Sequence, residues 1–168
     1  MLPIFIGLAV SNTILLVLTI VAGVQFAEAK AVFGSHFSAA LFTGIFTLLV
    51  HCIVFTYFVG TGKWVKETIS NGVLKEEEWL PKITDFKRKV FPINTYAMLF
   101  IIGTAILGAW AYGGGSPLAA GIHKTFAYIT VVVNVFSFRI EGKYIRQNTE
   151  LLNRAVAIKE AHIEDEKV

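Results

Sequence analysis

Residues 37–62 run for 26 positions without a single Asp, Glu, Lys or Arg. A helix needs about 20 apolar residues to cross the hydrocarbon of a bilayer, at a rise of about 1.5 Å each. The stretch is therefore long enough to span, and it constrains the fold more than any other feature of the chain. Three further segments meet the same length test, so the spans are expected at about 2–26, 37–60, 93–112 and 118–138. Their apolar residues do not alternate, and each run is too long for a barrel strand. Backbone groups in lipid must pair within the segment, which leaves helices. The expectation is an all-α membrane protein whose 1–138 region is a four-helix transmembrane bundle.

Composition agrees. The chain of 168 residues is 55% hydrophobic and only 16% charged, whereas soluble domains run near 25% charged. The net charge of +3 does not indicate nucleic acid, because the cations follow membrane topology. Thirteen Lys and Arg lie between spans two and three or after span four, against two, Lys30 and Lys124, in or beside the other links. By the positive-inside rule both termini face the cytoplasm, in an inner or plasma membrane. The first segment has no Lys or Arg ahead of its apolar run and exceeds a signal-peptide core, so it reads as a span. The "GGGSP" turn and the link near His36 close two short outer hairpins, giving up-down topology. Small residues at Ala40, Gly44, Gly103, Ala105, Gly108 and Ala109 offer close helix approach. The lone Cys52 reads as a buried thiol and supports no disulfide within the chain.

Segment 61–92 reads as a cytoplasmic interfacial loop, with Asn71-Gly72 as a turn and Trp64, Trp79, Phe86 and Phe91 among lysines. "GTGK" at 60–63 lacks the full phosphate-loop pattern and the preceding strand. Residues 139–168 continue span four as an amphipathic helix, with Ile140, Tyr144, Leu151, Ala155, Ile158 and His162 near helical spacing. That stripe needs a cover: the chain's own loop, a second copy or another subunit.

The histidines carry the functional question. An uncompensated buried polar group costs about 2–7 kcal/mol, and ionisable groups within spans point to function. His51 falls in the inner half of span two. At its level lie Asn12, Tyr96, Met98 and Asn134. The first reading is a structural polar layer of Asn12, His51, Tyr96 and Asn134 that fixes helix register. It accompanies a non-catalytic accessory or scaffold subunit, with protein partners or self-association through the spans and the 139–168 tail. The alternative is a haem b electron-transfer subunit with axial ligands drawn from His36, His51, His123 and Met98. His36 and His123 fall at similar depth on the outer side, which makes them a candidate bis-histidine pair. A transporter or channel component is third, since the spans show no charged midplane residue and no inverted repeat. No catalytic set is visible, and no span carries the carboxylate that a zinc or iron site would usually add to histidine.

Overall fold

The computed structural model describes residues 1–28, 32–114 and 116–165. Lys30, Gly115 and Lys167, which enter the charge count and the turn reading, lie outside the described residues. The described chain is helical, with no strand. Its elements are α1 (Leu2–Ala27), α2 (Phe33–Ser70), α3 (Glu76–Gly114) and α4 (Pro117–Asp165). All four are long and apolar enough to cross a membrane. Large apolar side chains such as Ile6, Val10, Ile14, Leu41, Phe42, Ile106 and Val132 stand exposed along them, as a lipid-facing surface requires.

Three of the helices outrun the expected spans at the charged end. Segment 61–92 is not a loop: α2 continues to Ser70 and α3 begins at Glu76, leaving only a turn at 71–75. The reason lies in the residues. Lys63, Lys66 and Glu67 are good helix formers, and nothing breaks α2 before Asn71-Gly72. Gly72 takes φ 76°, and the Val73 N–H reaches back to the Thr68 carbonyl at 3.3 Å, a left-handed closure that glycine accommodates. Glu76, Glu77 and Glu78 open α3, where acidic charge favours the helix N-terminus.

The tail stripe finds its cover in this hairpin. Leu151 and Ala155 of α4 are buried against Val65, Leu74, Trp79 and Ile83. Of the two competing covers, a second copy and another subunit, neither is needed for those residues. The stripe runs out beyond them: Ile158 is exposed. A second core lies further along the bundle, where Phe5 and Ala9 of α1 meet Val50, Val54, Phe58, Val90, Phe138 and Ile145. Around the bundle α1 packs on α2 and α4, and α3 on α2 and α4, while α1 and α3 do not meet. Helices α2 and α4 thus occupy the short diagonal, and they carry all the intramembrane histidines. Cys52 is exposed on the apolar surface, not buried as its surroundings in sequence suggest.

Candidate functional site

The two hairpins repeat one another in parallel at the end opposite the charges. In the first, Thr19 Oγ1 donates to the Leu15 carbonyl at 2.9 Å and meets Thr43 Oγ1 at 2.7 Å. In the second, Thr104 Oγ1 donates to the Phe100 carbonyl at 2.8 Å and meets Thr130 Oγ1 at 2.7 Å. Thr19 and Thr104 stand 85 residues apart, as do Gly23 and Gly108; Thr43 and Thr130 stand 87 apart, as do His36 and His123.

Each histidine lies in a notch made by the glycine of its own hairpin. A Cβ at Gly23 would come 2.9 Å from His36 Cε1 and 3.2 Å from Nδ1; at Gly108 it would come 2.9 Å from His123 Cε1 and 3.3 Å from Nδ1. The helical logic is the same in both. The Thr19 carbonyl bonds within the helix to the N–H four residues on, at Gly23. With no side chain at that position, the carbonyl's second lone pair remains open to an approaching imidazole. The Thr19 carbonyl lies beside His36 and the Thr104 carbonyl beside His123. Both Nδ1 atoms are buried, and neither reaches a partner in full hydrogen-bonding geometry. Nε2 of each ring stands slightly further from the glycine, 3.5 Å from the same added Cβ.

The two notches bring the rings together across the α2–α4 diagonal, with centroids 6.3 Å apart and planes inclined at 67°. Two metal–imidazole bonds of about 2 Å, with roughly 1 Å more from each nitrogen to its ring centre, separate centroids by about 6 Å. No group of three or more His, Cys, Asp or Glu side chains stands together among the described residues. Two imidazoles alone leave a protein-only zinc or iron site incomplete. They are a complete axial set for a haem, whose ring supplies the other four donors. The donor set and the glycine notches thus fit a haem b.

His51 is placed differently. It is wholly buried, with Nδ1 2.9 Å from Glu141 Oε1 and Nε2 2.9 Å from Asn134 Oδ1. Asn134 Nδ2 donates to the Thr130 carbonyl at 2.8 Å, which turns its Oδ1 toward the imidazole. An amide oxygen only accepts, so Nε2 carries a proton, and Nδ1 faces the Glu141 carboxyl. Asn94 Nδ2 donates both to the His51 carbonyl at 3.0 Å and to Glu141 Oε1 at 3.2 Å. Phe138 stacks on the ring at 5.2 Å. Both ring nitrogens have hydrogen-bond partners, which sets His51 apart from His36 and His123 as a candidate ligand. Met98 is half-buried.

The polar layer also has different members from those expected. Asn134 bonds to His51. Asn12 is buried but pairs with Thr47, whose Oγ1 donates to its Oδ1 at 2.9 Å. Tyr96 is 62% exposed and points out of the bundle. Glu141 and Asn94, both fully buried, take the places beside His51 that the sequence reading gave to Asn12 and Tyr96. One signal was available for Glu141: it follows Asn134 by seven residues, two helical turns on the same face.

Comparison with protein-family models, with curated proteins and with solved structures finds no match to this chain.

Proposed function

We propose that the protein is a membrane electron-transfer protein that holds one haem b between Nε2 of His36 and Nε2 of His123. The observation that carries this reading is the 6.3 Å separation of two imidazoles set in matching threonine–glycine notches. It moves the preference away from the accessory-subunit reading, for which the sequence alone argues better. A bound haem supplies reversible one-electron chemistry at iron. The chain's own part is to hold the two rings in place. Gly23 and Gly108 admit them, and the Thr19 and Thr104 carbonyls lie beside the rings, where the outer partners of ligating histidines stand. The Thr19–Thr43 and Thr104–Thr130 contacts lock each hairpin so that the rings keep their spacing.

The His51–Glu141–Asn134–Asn94 network is structural in this account. It ties α2, α3 and α4 together at a level about 22 Å from His36 along α2. The excess of Lys and Arg at the opposite end of the bundle supports a cytoplasmic location for that end, with the haem near the outer face of an inner or plasma membrane.

The test is haem content. Protein purified in detergent from cells supplied with a haem precursor is expected to carry about one non-covalent b-type haem per chain. Absence of haem above background, or equal haem in the His36→Ala/His123→Ala variant, would overturn the proposal.

A further inference from the structure

A groove of about 590 Å³ runs between α1 and α4 at the charged end. Its walls change character along its length. Ile6, Val10 and Ile14 of α1 give it an apolar face, and Arg139, Lys143 and Arg146 of α4 stand at its other end. The three cations are spaced four and three residues apart, so they share one face of the helix. Gly142 lies among them, and Phe5 packs against it (an added Cβ would stand 3.3 Å from the Phe5 ring). That contact draws α1 in and keeps the groove floor close to the helix.

Two of the three cations in the groove have no carboxylate partner. Arg146 binds Glu150 at 3.2 Å, but neither Arg139 nor Lys143 forms a salt bridge with a carboxylate among the described residues. Both are exposed. Lys143 lies over the Tyr144 ring at 5.6 Å, but two cations without a carboxylate partner below a lipid-facing apolar trough match a ligand with a hydrocarbon chain and an anionic head. Basic pockets between helices at the cytoplasmic face suit such lipids.

We propose that the α1–α4 groove is a binding site for an anionic phospholipid, its acyl chain along Ile6, Val10 and Ile14 and its phosphate against Arg139 and Lys143. A neutral quinone or sterol would fill the trough but leave both cations without a counter-charge.

The test compares thermal unfolding of the detergent-purified full chain with added phosphatidylglycerol or phosphatidylcholine. Phosphatidylglycerol is expected to raise the midpoint by about 5 °C more than phosphatidylcholine, by mass action on the folded state. The difference should vanish in Arg139→Gln/Lys143→Gln and persist in Lys63→Gln/Lys66→Gln, which removes equal charge from α2. Equal shifts by the two lipids in the unaltered protein would overturn the site. So would a difference that survives the α4 substitutions or is lost equally with the α2 ones. Should the α4 variant not fold, native mass spectrometry of the unaltered protein decides. Retention of phosphatidylglycerol over phosphatidylcholine from an equimolar mixture supports the site, and equal retention overturns it.

Discussion

Gly108→Ala isolates the notch from the helix around it. Alanine in a helix interior is about 0.5–1 kcal/mol better than glycine, so the backbone gains. The added Cβ, however, meets His123 Cε1 at 2.9 Å, closer than such contacts normally come. The expected outcome is haem content reduced severalfold with helicity by circular dichroism unchanged; Gly23→Ala should do the same through His36. Gly121→Ala adds a methyl in open space and should leave haem content alone. A second residue-scale prediction concerns Glu141. Glu141→Ala leaves His51 Nδ1 buried without its partner, which costs about 1–3 kcal/mol. Glu141→Gln keeps an acceptor toward Nδ1 and should cost less. Reversible denaturation in mixed detergent would rank the two, and the reverse order would contradict the pairing of Nδ1 with residue 141. The same residue shows what the sequence concealed. Ending span four at its first cation, Arg139, put Glu141 in the tail, although the helix carries it back into the bundle. Tyr96 failed differently. It has the right depth but lies off the face set by Asn94, Ala97 and Ile101, which are buried at helical spacing.

At the scale of elements, what the sequence made legible was length and depth. Four apolar runs demanded four helices, and counting residues from the short links placed His36 and His123 at one level. Rotation about each helix axis was not legible, because the apolar residues surround each span and leave little directional pattern. The repeat was hidden for a related reason. Its shared residues are few, namely a threonine and glycine on the first helix of each hairpin and a histidine and threonine on the second. The spacing also shifts from 85 to 87 residues between the helices. The turn between α2 and α3 gives an element-scale prediction. Gly72 at φ 76° should lose about 1 kcal/mol on replacement by alanine, seen as a lower unfolding midpoint with haem content kept. Unchanged stability would argue against the left-handed closure.

The whole molecule has two ends of different character, one rich in charge and one with paired histidines. The charged end is a helical cluster built around Trp79, which is 3% exposed. Trp79→Ala should cost about 3–5 kcal/mol and open the 71–75 turn to limited proteolysis, while the histidine end, remote along the bundle, retains its spectrum. Loss of haem along with the cluster would show that the two ends fold as one unit. Between them lies the His51 network, which the account makes a fastener and not a ligand.

The most direct test of that division is the reduced-minus-oxidised visible spectrum of the purified protein and of three single variants, His36→Ala, His123→Ala and His51→Ala. The account predicts a low-spin b-type α-band in the unaltered protein. It predicts loss or conversion to a high-spin spectrum in the first two variants and an unshifted band in whatever His51→Ala protein folds. A band that survives both outer substitutions and disappears with His51 would contradict it.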